Sequence, residues 1–137
     1  MHIKNINIKY KRMINTKLTN NCFNFKKTYE FEQRCLEGMR ILSKYPHRIP
    51  IICEKDKKTQ LTGNLVKEKF LVDKKLTCGQ FIYMIRKNLE LPAEKAIFLI
   101  INGILPSNNI SLSELYSLHK SNDGFLYITY SSENVFG

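Results

Sequence analysis

The run Ala96–Ile101, AIFLII, followed at once by Asn102-Gly103, constrains this chain more than any other stretch. Six apolar residues are far short of the ~20 that cross a bilayer. They are also too few for a typical helix and too apolar for a loop, so they read as a strand. Apolarity that is continuous rather than alternating predicts burial on both faces, as for the central strand of a covered sheet. Asn-Gly is the preferred two-residue hairpin turn, here leading into Ile104-Leu105. The chain must therefore build a sheet with something packed on each side of it.

The flanking sequence supplies the other elements. Glu30–Lys44 reads as a helix, with Phe31, Cys35, Met39 and Leu42 as one apolar stripe and Tyr45-Pro46 as its stop. Ile49–Cys53 and Lys69–Val72 read as two strands of a hairpin with a long polar connection that contains Gly63-Asn64. Thr77–Leu89 is a second helix. Thr77 and Gln80 form a capping box, and Phe81, Met84, Ile85 and Leu89 are its buried face. Ser111–His119 is a short helix with a Ser111–Glu114 box, and Phe125–Tyr130 is the last strand. The tail Ser131–Gly137 follows. A hairpin, a crossing helix and later strands make an α+β fold in the β-grasp order of ubiquitin, although element order alone leaves ferredoxin-like arrangements open.

Charge divides the chain. Met1–Tyr29 holds seven Lys/Arg and no acid, while the other 108 residues hold fifteen bases and twelve acids. Residues 1–29 read as a basic, Asn-rich, disordered extension, and residues 30–137 as the folded domain with a flexible tail over 131–137. A basic extension suits an anionic membrane or nucleic acid, with no specific nucleic-acid motif present. Cys22, Cys35, Cys53 and Cys78 show no CxxC spacing, and three scattered histidines give no metal-ligand pattern, so no metal or other cofactor is expected. A Cys–His hydrolase would draw on Cys35, Cys53 or Cys78 with His47 or His119. Cys78 has the advantage of a helix N-terminus. No catalytic signature surrounds any of them, so no catalytic residue is assigned and the chain is not read as an enzyme.

Many motifs agree with one family, in order. They are Phe31-Glu32-x-Arg34, Glu37-Gly38, Lys44-Tyr45-Pro46-x-Arg48-Ile49-Pro50-Ile51-Ile52-x-Glu54-Lys55, Lys69-Phe70-Leu71-Val72, Leu76-Thr77-x-Gly79-Gln80-Phe81, Ile85-Arg86-Lys87 and Leu126-Tyr127-Ile128-x-Tyr130-Ser131-x-Glu133-x-Val135-Phe136-Gly137. Over Phe31–Gly137 the chain resembles the autophagy-related protein 8 family, the GABARAP-like modifiers. The resemblance implies a ubiquitin-like β-grasp with an additional N-terminal helix or helices. It implies that Gly137 is passed between activating and conjugating enzymes as thioesters and then joined to phosphatidylethanolamine, with Phe136 steering the tail. A glycine carboxylate suits narrow enzyme sites because no Cβ obstructs the approach. A deconjugating cysteine protease is implied as a further partner, and Arg86 is the implied contact for processing or conjugation enzymes. The protein would be cytoplasmic and monomeric, then membrane-anchored on autophagosomes or another organelle, a plastid in apicomplexan members.

The family also docks receptors through aromatic-x-x-aliphatic motifs that add a strand to a sheet edge. The resemblance places an aromatic pocket at Glu37, Ile41, Pro50, Lys69, Leu71 and Phe125, and an aliphatic pocket at Phe70, Val72, Leu76, Phe81 and Met84. Arg48 and Lys67, with Lys69, would meet acidic residues flanking the motif. By strand alternation, about half of Phe70, Leu71 and Val72 should be core. The chain departs from the family at Asp73, where proline is usual, at Gly124, and in a 56–66 loop one residue longer. The alternative function is a non-conjugated basic domain that binds peptides, anionic membrane or nucleic acid.

Overall fold

The structure is a computed structural model that describes residues 23–59, 61, 63–65 and 67–132. It contains α1 (Asn24–Thr28), α2 (Phe31–Lys44), β1 (Arg48–Lys55), β2 (Lys69–Asp73), α3 (Cys78–Asn88), β3 (Phe98–Ile100), α4 (Leu112–His119) and β4 (Leu126–Ser131). The strands form one mixed sheet in the order β2-β1-β4-β3. β1 and β2 are an antiparallel hairpin that pairs Ile49 with Val72 and Ile51 with Phe70. β4 returns parallel to β1, with Ile51 opposite Leu126 and Cys53 opposite Ile128. β3 pairs antiparallel with the far side of β4. This is the expected ubiquitin-like arrangement, with two helices ahead of it.

Alternation along β1 and β4 sends side chains to two separate cores. On one face Ile49, Ile51, Cys53, Leu126, Ile128 and Tyr130 pack against α3 and α4 through Phe81, Ile85, Leu112 and Leu115. On the other face Ile52, Phe125 and Tyr127 pack against Ile41 of α2 and Phe25 of α1. The strands covered on both faces are therefore β1 and β4. The central-strand reading of Ala96–Ile101 is corrected, because β3 is an edge strand. Ile97, Leu99 and Ile101 enter the core while Phe98 and Ile100 stay half-exposed. The helices ahead of the sheet cover β1 and β4, and Ile100 faces an open cleft. The turn after it is as expected. Asn102 and Gly103 both have positive φ (49° and 76°), and Ile101 and Ile104 exchange two backbone hydrogen bonds of 2.9 Å.

The stripe expected on α2 is also corrected. Met39 is 66% exposed, and Phe31, Cys35 and Leu42 are only part-buried. The buried positions are Arg34, Gly38 and Ile41. Gly38 lets the helix backbone touch the turn before β4, since a Cβ there would lie 2.3 Å from the Asp123 carbonyl oxygen. Arg34 is buried because its guanidinium finds an anionic partner and two carbonyls inside the fold. Its Nε donates to Asp123 Oδ2 at 3.0 Å, and Nη1 donates to the carbonyls of Tyr29 (2.6 Å) and Lys26 (3.2 Å). The Tyr127 hydroxyl and the Phe125 N–H also donate to Asp123.

Of the segment expected to be a disordered extension, residues 1–22 lie outside the described residues. Residues 23–29 are folded onto the domain. α1 has no side-chain cap of its own, so buried Glu54 of β1 serves instead, accepting from the N–H groups of Asn24 (2.7 Å) and Phe25 (3.0 Å). A five-residue helix is not stable alone. This one is held at its start by Glu54 and at its end by Arg34, with Phe25 buried between them.

Candidate docking edge and conjugation tail

Among the described residues β2 pairs with β1 on one side only, so its other edge can accept a strand. Its residues alternate as the sequence required. Phe70 and Val72 are buried, Leu71 is part-buried, and Lys69 and Asp73 are exposed. Leu71 lies on the α1–α2 face and stands opposite Pro50 of β1, which is fully buried. Ile41 and Phe125 belong to the same cluster. Lys69 and Glu37 form an ion pair at its rim, with both side chains partly exposed. An exposed pair of this kind contributes little stability, so a ligand can open it cheaply. The structure thus brings together all six residues of the expected aromatic pocket.

A further aromatic side chain adjoins this cluster. Phe25 lies edge-on to Phe125 with ring centroids 5.2 Å apart, and the Lys69 ammonium is 5.6 Å from its centroid. Assigning residues 1–29 to an extension hid it. The signal was present: Phe25 and Tyr29 are four residues apart, the spacing of helix neighbours, and their rings are 5.0 Å apart.

The expected aliphatic set divides. Phe70, Val72 and Phe81 are buried in the main core, where Phe70 and Phe81 meet edge-on at 5.6 Å. Leu76 and Met84 are part-buried and open into a groove of about 520 Å³ shared with Tyr83 and Asn108. Arg48 is exposed and donates to the Leu71 carbonyl at 3.3 Å, so it lies along the edge strand. The exposed Lys67 has its ammonium 5.5 Å from the Phe70 ring centroid. Arg86 donates to the Pro92 carbonyl (3.2 Å) and to that of Lys95, which ties the loop after α3 to the helix end.

Burial disfavours the thiolate at all three described cysteines. Burial pushes the Cys78 thiol up to about 11, which outweighs its place at a helix start. Burial, then the Asp123 carboxylate, raise Cys35 to about 11. Fully buried Cys53 is pushed higher still. Catalysis requires a thiolate near neutral pH, and none of these three groups supplies one.

The tail leaves from the end of β4. The Ser132 N–H donates to Thr59 Oγ1 at 2.9 Å, and the two hydroxyls share a further hydrogen bond of 2.9 Å. Phe136 and Gly137 lie outside the described residues.

A family model described as "Autophagy protein Atg8 ubiquitin like" matches residues 33–137. The chain belongs to the Atg8 family. Autophagy-related protein 8 of Schizosaccharomyces pombe is 53% identical over 113 residues, covering 82% of this chain and 93% of that protein. The Saccharomyces cerevisiae protein of the same name is 50% identical, covering 82% and 96%. Among solved structures, Trypanosoma brucei ATG8 superposes with a TM-score of 0.78 at 38% identity, over 85% of this chain and all of that one. Plasmodium falciparum Atg8, solved in complex with a P. falciparum Atg3 peptide, gives 0.74 at 33% identity, over 82% and 98%. As an Atg8-family member the chain is a ubiquitin-like autophagy protein. Among the described residues no helix is long and apolar enough to cross a membrane.

Proposed function

We propose that this chain is a ubiquitin-like modifier joined through Gly137 to phosphatidylethanolamine, and that it recruits receptors by docking aromatic-x-x-aliphatic motifs on β2. The observation that carries the reading is the unpaired β2 edge, with Leu71, Pro50, Ile41 and Phe125 gathered beside it under the Lys69–Glu37 pair. A docked strand gains backbone hydrogen bonds from β2, and its aromatic side chain enters the cluster as the ion pair opens. Lys67 and Arg48 supply positive charge for acidic flanks. The complex of the P. falciparum relative with an Atg3 peptide supports an Atg3-type conjugating enzyme as one partner. The tail would act as a substrate, carried first by the activating enzyme and then by the conjugating enzyme.

Intact mass after incubation with activating enzyme, conjugating enzyme, ATP and phosphatidylethanolamine vesicles tests the linkage. The expected product is one lipid on Gly137, absent when Gly137 is deleted. No adduct with enzymes that conjugate a control family member would refute it. Leu71→Ala tests the docking edge: motif peptides should bind at least about tenfold more weakly, as loss of a buried aliphatic contact implies, while conjugation proceeds.

A further inference from the structure

We propose that the turn carrying Lys57 and Lys58, together with the root of the tail, forms the face that lies against an anionic phospholipid surface once the tail is anchored. The inference rests on the reading that Gly137 carries the lipid.

The tail root is fixed to this turn. The Asp56 N–H donates to the Tyr130 carbonyl at 2.9 Å, the Thr59 N–H closes the turn on the Asp56 carbonyl at 3.2 Å, and Thr59 holds both the N–H and the hydroxyl of Ser132. Gly137 lies five residue steps beyond Ser132. A chain advances at most about 3.6 Å per residue, so the anchoring point lies within about 18 Å of the root. The tether keeps the lysines beside that root within reach of the headgroups, and their charge selects the orientation in which they meet them.

The charge on the turn matches that surface. Lys57 and Lys58 are exposed, whereas Asp56 Oδ2 is turned out of solvent contact. Lys55 is engaged, its ammonium donating to the Leu61 carbonyl at 2.9 Å, so it shapes the turn. The exposed Lys27 and Lys120 line the cleft that the turn borders. The acids of that cleft are Glu30, Glu54, Asp56 and Glu68, and Glu54 is committed to the start of α1. Anionic lipid attracts lysines within about a Debye length of ~8 Å. Such contact holds the domain in one orientation. β1 and β2 run away from the turn, so Lys44, Lys74 and Lys75 sit at the opposite end of the hairpin.

The test uses the full chain ligated chemically through Gly137 to cysteinyl-phosphatidylethanolamine, which needs no conjugation enzymes. Amine acetylation is followed residue by residue on phosphatidylcholine vesicles with and without phosphatidylserine. Acetylation of Lys57 and Lys58 should slow about fivefold on the anionic vesicles, salt should abolish the protection, and Lys44, Lys74 and Lys75 should not change. Equal rates on both vesicles, or equal protection of Lys44 and Lys74, would overturn the proposal. So would an effect of Lys57→Glu/Lys58→Glu confined to enzymatic conjugation and indifferent to phosphatidylserine, which assigns the turn to the enzymes. Protection in the ligated protein without any enzymatic adduct would sink the modifier reading and keep this surface.

Discussion

Replacing Gly38 by alanine should destabilise the protein even though alanine is the better helix former. The added Cβ would sit 2.3 Å from the Asp123 carbonyl oxygen and 3.6 Å from the Gly124 Cα. Both neighbours are backbone, so no side chain can rotate away. Restoring contact distance requires moving α2 from the turn by about 1 Å, and overpacking of this kind costs about 1–3 kcal/mol. The upper end applies here, because Tyr127 and the Phe125 N–H hold Asp123 in place, so a shift of α2 stretches the Arg34–Asp123 bond. Better helix propensity returns about 1 kcal/mol. The net loss is about 2 kcal/mol, or roughly 8 °C in Tm for a domain of this size. Urea unfolding of Gly38→Ala beside Met39→Ala measures it. The exposed Met39 should change stability by less than about 0.5 kcal/mol. A Gly38→Ala protein as stable as the parent, or a larger loss at Met39, would refute the packing described for α2.

Arg34→Ala should cost about 3–5 kcal/mol in urea unfolding, because it strands the Asp123 carboxylate in the interior. Phe25→Ala should cost about 3 kcal/mol, the low end for a buried Phe because α1 can fray; unchanged stability would place α1 off the domain. The same variant should also weaken motif peptides in calorimetry, since Phe25 supports Phe125. Iodoacetamide should label Cys35 and Cys78 slowly at pH 8. The thiol pKa is raised in the fold, so the thiolate is scarce below it, and the rate should climb about tenfold per pH unit toward pH 11 while the protein stays folded. Fast labelling of either at neutral pH would contradict their burial.

Much of the fold is legible where a local signal and a long-range need coincide. Thr77 and Gln80 cap α3 as their spacing predicts, and Asn102-Gly103 makes its turn because few other pairs accept two positive φ values. The cluster beside β2 was legible only through a family resemblance, since Ile41, Pro50 and Phe125 are distant in sequence and individually look like ordinary core. Two readings failed for one reason. Periodicity ranks residues by apolarity, whereas burial on α2 is decided by who can approach Asp123: a glycine with no side chain and an arginine with three acceptors for its guanidinium. The same logic hid α1. Its helical signal is weak because its caps belong to Glu54, thirty residues downstream of Asn24, and to Arg34, five residues beyond Tyr29.

The place of β4 has a mechanical consequence. It lies between β1 and β3, parallel to one and antiparallel to the other, and the chain leaves it at Ser132. A load applied through the tail therefore acts along the strand axis. The hydrogen bonds to both neighbours share that load in shear and cannot be peeled one at a time. β1 then passes it sideways to β2, where a docked strand would hang. From Ser132 to the outer edge of β2 the path crosses three hydrogen-bonded strands, β4, β1 and β2.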